Sequence, residues 1–253
     1  MRLGAQLYTV RDFARTPDEI RETFKKIKDI GYECVQVSGL GAIDARELAE
    51  ISEKTCLPIT CTHSPVPRII GDTDALIEEH KIYGCPVIGV GYMPNEYHGT
   101  REGLEKFLSA VQPAVEKIHR AGLDFAYHNH AFEFEPLADT GEKMFDIMLE
   151  RFPDWNFILD TYWVKYAGES VLDYMKKVGG ERLVNIHYKD MSPEDRSICA
   201  CGNGTLDFSA ITALCEKLGV KNVLVEQDNA NSKFNDAFGQ MKISFDYLRP
   251  TIK

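Results

Sequence analysis

The sequence predicts an α/β protein folded as a closed (β/α)8 barrel, and three observations support this prediction. Short apolar runs alternate with longer amphipathic segments along the whole chain, and eight such runs are present. The 253 residues match the usual size of one such barrel. No Ser/Pro-rich linker or charge block interrupts the alternation, so residues 1–253 are expected to form one domain.

The predicted strands and helices alternate strictly, which implies parallel strands joined by right-handed crossovers. The strands cover residues 3–9, 34–38, 59–63, 87–92, 124–130, 157–161, 183–189 and 222–228. Helical patterns cover residues 18–32, 42–56, 100–122, 141–152 and 170–180. Several of these patterns close on glycine, as helix C-termini often do.

The main alternative with the same alternation is an open, doubly wound sheet. Such a sheet would carry a glycine-rich phosphate turn after its first strand, whereas residues 8–19 read YTVRDFARTPDE. The glycines of residues 202–208, GNGTLDF, follow a polar loop and lack the strand, turn and helix context of a dinucleotide site. We interpret this segment as a loop over the barrel mouth and favour the closed barrel.

Composition and charge argue against several classes of protein. The formal net charge of −10 opposes binding to nucleic acid, because such binding depends on Lys and Arg neutralising phosphates. The N-terminus lacks the apolar run of a signal peptide, and no segment approaches the roughly 20 apolar residues of a membrane span. A cytoplasmic protein without nucleic-acid or membrane partners is expected.

No disulfides are expected among the seven cysteines, five of which, Cys34, Cys56, Cys61, Cys85 and Cys215, are read as small buried hydrophobes of strands and helices. Cys199 and Cys201 form a C-x-C pair in a glycine-rich loop. No second Cys/His pair follows at the spacing of a zinc site, so we assign this pair no metal.

Polar groups collect at the C-terminal ends of four successive predicted strands, which meet at one mouth in such barrels. They are His128, Asn129, His130 and Glu133 for the fifth strand, Asp160 for the sixth, His187, Lys189 and Asp190 for the seventh, and Glu226 and Asp228 for the eighth. An unpaired carboxylate after an apolar run is costly to desolvate, so a cation should accompany these groups. A divalent metal would satisfy carboxylates and imidazoles together, and the oxygen-rich set favours Mn2+, Mg2+ or Co2+.

A reading without a metal stays open for the two carboxylates that directly end strands. Asp160 and Glu226 would then cap helices, pair with Lys189 or Arg11, or end their strands in water. Because active sites occupy this face of the barrel, we favour the metal site for the four strand ends taken together.

Seven segments carry a family resemblance that spans nearly the whole chain. They are GAQLYTVRD, GYECVQVSGL, YHNHAFEF, LDTYWV, NIHYKDM, GNGTLDF and VLVEQDN. In this combination the chain resembles the sugar phosphate isomerase/epimerase family, the xylose isomerase-like TIM barrels that include inosose dehydratases and keto-sugar epimerases.

The resemblance implies a metal held by a Glu after the fifth strand, an Asp after the sixth, a His after the seventh and a Glu after the eighth. The last three correspond to Asp160, His187 and Glu226. The fifth strand departs from the pattern because it ends in His-Asn-His, so either His128 replaces the Glu or Glu133 reaches back. We expect Glu133 to be the metal ligand, because it restores a third carboxylate and leaves a histidine free for proton transfer. Mn2+ is the expected ion, with Mg2+, Co2+ and Zn2+ as alternatives.

The implied chemistry is removal of a proton beside a carbonyl, with the metal stabilising the enediolate. The expected catalytic groups are the possible bases His130, His128 and Glu226, together with Lys189, which would steady a developing oxyanion or else pair with Asp190. Substrate contacts are expected from His63, Trp163 and Asp190.

The resulting prediction is a metal-dependent isomerase or epimerase of a small, unphosphorylated sugar or keto-sugar. The near alternative is a dehydratase or lyase that acts on an inosose or a 3-keto-glycoside. A more distant alternative, an abasic-site endonuclease, is opposed by the acidic balance. A sugar-binding protein would not need so many ionisable groups on one rim. The expected partner is a small sugar or polyol, and the family is compatible with a homodimer.

Overall fold

Eight parallel strands close a barrel within residues 1–252, the part of the chain that this computed structural model describes. The barrel strands are β1 (Arg2–Gln6), β2 (Cys34–Val37), β3 (Ile59–Ser64), β4 (Val87–Val90), β5 (Asp124–His128), β6 (Asn156–Asp160), β7 (Leu183–Tyr188) and β10 (Asn222–Val225). Each strand pairs with its neighbours in chain order, and β10 pairs with both β7 and β1. The predicted (β/α)8 barrel is therefore confirmed. A short antiparallel pair, β8 (Asp190–Met191) and β9 (Ile198–Cys199), lies outside the barrel.

Helices surround the barrel. They are α1 (Pro17–Ile30), α2 (Ala45–Thr55), α3 (Val66–Gly71), α4 (Thr73–Ile82), α5 (Arg101–Arg120), α6 (Met144–Arg151), α7 (Thr161–Tyr166), α8 (Val171–Val178), α9 (Phe208–Leu218), α10 (Ala230–Phe234) and α11 (Ala237–Leu248). Short 3-10 turns cover Leu7–Phe13, Asn95–Tyr97, Phe132–Phe134 and Arg249–Thr251. Across residues 1–252, we find no helix with the length and apolar character that a membrane crossing requires.

Helix α1 shows how the local sequence sets these elements. Thr16 and Glu19 form a reciprocal capping box at its start, and Gly31 ends it with φ of 118°. Ile20 and Phe24 recur at a helical spacing and are fully buried. The helix is thus specified by its two caps and by one apolar face that packs on the barrel.

An apolar layer inside the barrel lies beneath the polar mouth. Cys61, Ala126 and Ile158 form a buried cluster in which each residue precedes a polar strand-end residue by two positions. Side chains two apart on a strand point to the same face, so the polar residues above them also point inwards. The barrel interior therefore changes from apolar to polar towards the C-terminal ends of its strands.

Several strands end earlier than the sequence predicts. The first strand ends at Gln6 rather than residue 9, the fifth at His128 rather than residue 130, and the eighth at Val225 rather than residue 228. After the first strand ends, a side chain replaces a neighbouring strand as the hydrogen-bond partner of the backbone, because Tyr8 N donates to Gln6 Oε1 at 2.9 Å. The early ends release the polar residues of the mouth from the sheet.

Candidate active site

Four side chains at the C-terminal ends of neighbouring barrel strands converge on one point. They are His128 (β5), Asp160 (β6), His187 (β7) and Glu226, the residue after β10. One nitrogen or oxygen of each lies within 4.8 Å of the others, and all four residues are buried. These atoms are Nε2 of His128, Oδ2 of Asp160, Nδ1 of His187 and Oε2 of Glu226, and among the described residues the only cation in contact with the two oxygens is the Lys189 ammonium. Because buried polar atoms are normally satisfied, the donor set fits a bound cation.

In each carboxylate of this cluster, one oxygen accepts a hydrogen bond from the surrounding protein and the other oxygen faces the cluster. Asp160 Oδ1 accepts a hydrogen bond from Trp163 N at 3.1 Å and caps helix α7. Glu226 Oε1 accepts a hydrogen bond from Gln6 Nε2 at 3.1 Å. Asp160 therefore acts as the helix cap that the sequence allowed, yet its other oxygen still faces the cluster.

Gln36 determines which nitrogen of His187 faces the cluster. Its Oε1 lies 2.9 Å from His187 Nε2 and accepts the N–H of that atom. Nδ1 then carries the ring's lone pair, and it lies 2.9 Å from Glu226 Oε2. Two acceptors this close repel each other unless a cation or a proton lies between them. This arrangement again fits a bound metal.

Lys189 adds a buried positive charge to the same mouth. Its ammonium Nζ lies 2.9 Å from Asp160 Oδ2, 2.9 Å from Glu226 Oε2 and 3.2 Å from Asp228 Oδ2. Burial alone would lower the pKa of Lys189, but the three carboxylates hold it well above its ordinary value. The ammonium is therefore charged at neutral pH.

The Lys189 ammonium acts in turn on two carboxylates of the cluster. Burial alone would raise the pKa of both Asp160 and Glu226. Lys189 and the neighbouring imidazoles nevertheless hold both pKa values below the ordinary range. Both groups are ionised at neutral pH, as ligands of a divalent metal must be.

The structure places Glu133, the expected fourth ligand, away from the cluster. The 3-10 turn Phe132–Phe134 turns its carboxylate back towards the strand, where Oε1 accepts from Tyr127 OH and Oε2 accepts from His130 N, each at 2.7 Å. Burial raises the pKa of Glu133 to about 8. The fourth position of the cluster belongs to His128, the alternative that the sequence left open.

His63 and His130 flank the cluster as two further imidazoles, and both residues are half-buried. The His63 ring lies 4.8 Å from that of His128, and the His130 ring lies at the same distance from His128 on another side. Burial, followed by the neighbouring imidazoles, holds the pKa of both rings well below the ordinary value. Both rings are neutral at neutral pH, and His63 Nε2 and His130 Nδ1 have no hydrogen-bond partner.

A cavity of about 380 Å³ opens above these groups, and we call it the main cavity. Its lining residues are Tyr8, Ser38, Gly39, His63, Ser64, Pro65, Gly91, Tyr92, His128, His130, Lys189, Glu226 and Asp228. A cavity of this size suits a small polar molecule. The structure thus brings five predicted site residues, His63, His128, His130, Lys189 and Glu226, to one cavity.

Two predicted substrate contacts do not line the main cavity. Trp163 lies beside it, with its ring 5.3 Å from His130 and 5.5 Å from the Lys189 ammonium. Asp190 is fully buried, and its carboxylate accepts backbone hydrogen bonds from Met191, Gly202, Gly204 and Leu206. Its acceptors are already used, so the geometry gives Asp190 a structural role.

The segment GNGTLDF wraps around Asp190, and none of its residues lines the main cavity. Gly204 shows why glycine is needed there, because a Cβ at this position would lie 2.2 Å from Asp190 Oδ1. The expectation that this loop covers the barrel mouth is therefore wrong. The loop is instead held in place by hydrogen bonds from its backbone N–H groups to the Asp190 carboxylate.

Three residues of the site were not predicted from the sequence. Gln6 and Gln36 support the cluster, and Asp228, to which no role was assigned, lines the main cavity. A signal for the first two was present, because each is an amide inside an otherwise apolar strand, in GAQLY and CVQVS. A buried amide needs a partner, and the partners here are functional side chains.

Comparisons with known proteins agree with this architecture. A family model described as a xylose isomerase-like TIM barrel matches residues 24–250, which confirms the resemblance found in the sequence. A sugar phosphate isomerase/epimerase from Parabacteroides distasonis superposes with a TM-score of 0.81 and 22% identity over 100% of both chains. The structure of L-ribulose 3-epimerase superposes with a TM-score of 0.75 and 14% identity, over 99% of this chain and 94% of the epimerase chain. The IolI protein with a bound zinc atom superposes with a TM-score of 0.75 and 13% identity, over 100% of this chain and 98% of the IolI chain. No curated protein matches the chain.

Proposed function

Because the chain belongs to the xylose isomerase-like TIM barrel family, we propose that it is a divalent-metal-dependent isomerase or epimerase of a small sugar or keto-sugar. One observation carries the proposal: four buried ligand atoms, two imidazole nitrogens and two carboxylate oxygens from four strand ends, lie within 4.8 Å of one another. The epimerase named among its structural neighbours supports the same class of reaction.

His128, Asp160, His187 and Glu226 would hold the metal. A divalent ion bound there would act as a Lewis acid on adjacent carbonyl and hydroxyl oxygens of a sugar. The preference for Mn2+ rested on an oxygen-rich set with Glu133, whereas the observed set has two nitrogens and two oxygens. We therefore propose Mn2+, Co2+ or Zn2+, and zinc has support from its presence in IolI.

His130 is the proposed proton acceptor. It lines the main cavity, its Nδ1 has no partner, and its ring is neutral at neutral pH. His128 and Glu226, the other candidates, are committed to the cluster. A neutral imidazole that lines the cavity has a lone pair with which it can accept a proton from a substrate.

Lys189 would stabilise the negative charge that develops on the substrate oxygen. Its ammonium lines the main cavity and is held charged and in place by Asp160, Glu226 and Asp228. A fixed charge costs no reorganisation when the substrate becomes an enediolate. Lys189 and His130 thus provide the electrostatic and proton-transfer parts of one reaction.

An unphosphorylated substrate fits the charges of the main cavity. Lys189 contributes the cationic side chain among the described lining residues, and it is already paired with three carboxylates. A phosphate group would need Arg, Lys or a cluster of free backbone amides. We therefore propose an uncharged sugar or keto-sugar.

The test removes metal with a chelator, restores Mn2+, Co2+, Zn2+ or Mg2+ separately, and follows 1H NMR in D2O with a panel of keto-sugars and inososes. Metal-dependent deuterium incorporation beside a carbonyl is expected, with His187→Ala as the inactive control. Loss of water from an inosose would instead identify the dehydratase alternative. Absence of metal binding and of any metal-dependent thermal shift would contradict the proposal.

A further inference from the structure

Asp228 lines the main cavity beside the cluster, but it is not one of the four cluster side chains. It follows Glu226 by two positions. Gln227, between them, does not line the cavity and donates instead to Gln240 on α11 at 3.2 Å. Glu226 Oε2 lies 2.9 Å and Asp228 Oδ2 lies 3.2 Å from the ammonium Nζ of Lys189. The chain after β10 therefore presents two carboxylates to one ammonium.

The Lys189 ammonium contacts the same carboxylate oxygens that would bind the metal. Its Nζ lies 2.9 Å from Asp160 Oδ2 and 2.9 Å from Glu226 Oε2, the two oxygens that face the cluster. While Nζ keeps these contacts, a divalent metal on either oxygen would lie within about 5 Å of it, because metal–oxygen bonds are about 2.1 Å long. Two positive centres at this separation repel each other in a buried site. The shared oxygens therefore set the metal against the ammonium.

The charges of the cluster are sufficient for one of these two cations. Asp160 and Glu226 together carry two negative charges, which a divalent metal neutralises. The two histidines of the cluster would bind the metal as neutral imidazoles and would add no charge. The buried ammonium of Lys189 would then lack a counter-charge, and an unbalanced buried charge is costly.

Asp228 can supply the missing charge. Of the three carboxylates that contact Lys189, it is the one outside the cluster. Lys189 Nζ donates a hydrogen bond to Asp228 Oδ2 at 3.2 Å. Arg11 also approaches Asp228, but its guanidinium donates to the backbone carbonyl rather than to the carboxylate. The Asp228 carboxylate is thus directed to Lys189.

We propose that Asp228 is a positioning residue that supplies the counter-charge of Lys189, so that the ammonium and a divalent metal can share the cluster carboxylates. Asp160 and Glu226 balance the metal, and Asp228 balances the ammonium. Lys189 then stays in the main cavity, where the proposed reaction requires its charge. This inference rests on the proposed function, because it assigns a divalent metal to the cluster.

Isothermal titration calorimetry with Zn2+ and with Mn2+, at one pH and without any sugar, tests this role of Asp228. Asp228→Asn keeps the size of the side chain and removes its charge. It should weaken metal binding about tenfold, because the unbalanced ammonium then opposes the metal. Lys189→Met alone should bind the metal at least as tightly as wild type. Added to Asp228→Asn, it should return the affinity to within about threefold of wild type, because the remaining charges balance again.

An exposed ion pair provides the matched control. Lys233 Nζ lies 3.1 Å from Asp195 Oδ2, but the two side chains are 40% and 56% exposed. Asp195→Asn removes the same charge as Asp228→Asn and should leave metal affinity within about twofold, because solvent screens an exposed pair. Asp228→Glu keeps the charge and should bind metal within about threefold of wild type. The Asp228 side chain is 30% exposed, so the fold should tolerate both changes, and thermal melting checks this.

Equal metal affinities of Asp228→Asn and wild type would overturn this role, as would weaker metal binding by Lys189→Met alone. A loss that Lys189→Met does not recover would also overturn it, because Asp228 would then bind the metal directly. In these cases wild type still binds metal, so the proposed function stands and the role of Asp228 alone is rejected. Wild type that binds neither ion would reject the metal cluster, and the role of Asp228 with it.

Discussion

The two halves of the barrel mouth carry different chemistry. The half formed by β5, β6, β7 and β10 bears charged or metal-ligating groups, represented by His128, Asp160 and Lys189. The half formed by β1 to β4 bears neutral groups, namely the amides of Gln6 and Gln36 and the imidazole of His63. The first half supplies all four side chains of the cluster, whereas the two amides of the second half orient two of them.

The neutral half orients the charged half through two long-range hydrogen bonds. Gln36 is 151 positions from His187 in sequence, and Gln6 is 220 positions from Glu226. Amides do not titrate, so they hold their partners in the same geometry across the physiological pH range. The neutral half thus holds in place two side chains of the charged half.

The largest effect should follow from removing a charge of the first half. Glu226→Gln keeps the volume of the side chain but removes a carboxylate ligand and one partner of Lys189. We expect metal affinity to fall by about 100-fold or more and turnover to be abolished, with the fold retained. Calorimetry with Mn2+ and Zn2+ measures the first effect, and circular dichroism checks the fold. Unchanged turnover would show that Glu226 is not part of the site.

A paired substitution tests which residue after β5 belongs to the cluster. His128→Ala should lower metal affinity by about 100-fold, because it removes a ligand. Glu133→Gln should leave it within about threefold, because its carboxylate supports only Tyr127 OH and His130 N. Metal titrations of the two variants decide between them. The reverse order of affinities would restore Glu133 as the ligand.

The choice between His128 and Glu133 shows where sequence reasoning reaches its limit. The alternation of strands and helices and the polar strand ends are local patterns, so they predict the barrel and the position of its mouth. Glu133 depends on the direction that the chain takes after β5, where the 3-10 turn Phe132–Phe134 returns its carboxylate to the strand. The pattern of apolar and polar residues in the sequence does not predict the direction of the chain after β5.

Asp190 and the two glutamines of the neutral half depend on pairings across the fold. The Asp190 carboxylate is used by backbone N–H groups of a loop that begins 12 residues later. Gln6 and Gln36 can be recognised from the sequence as buried amides, but their partners lie on other strands of the closed barrel. Sequence patterns therefore located the charged half of the mouth and His63, but missed the two glutamines that orient the cluster.

A smaller effect should follow from a change in the neutral half. Gln36→Leu removes the acceptor of His187 Nε2–H and frees the ring to rotate or change tautomer. Metal affinity should fall by about tenfold, as for other residues that orient metal ligands. Ser38→Ala is the matched control, because Ser38 accepts from Gln36 at 3.5 Å and does not contact the cluster. Equal metal affinity for Gln36→Leu and wild type would show that Gln36 does not orient His187 for metal binding.

The smallest expected effect concerns stability near the charged half. Burial raises the pKa of Glu133 from 4.5 to about 8, so the folded protein binds a proton there that the unfolded chain releases above its own lower pKa. The stability that this group contributes is fully present below pH 4.5 and is lost as the pH rises towards 8. Glu133→Gln does not titrate. Between pH 5 and 8, denaturant unfolding should therefore show wild type losing about 1 kcal/mol or more relative to the variant. Parallel pH profiles would mean that Glu133 is already ionised in the fold, held by its two hydrogen bonds.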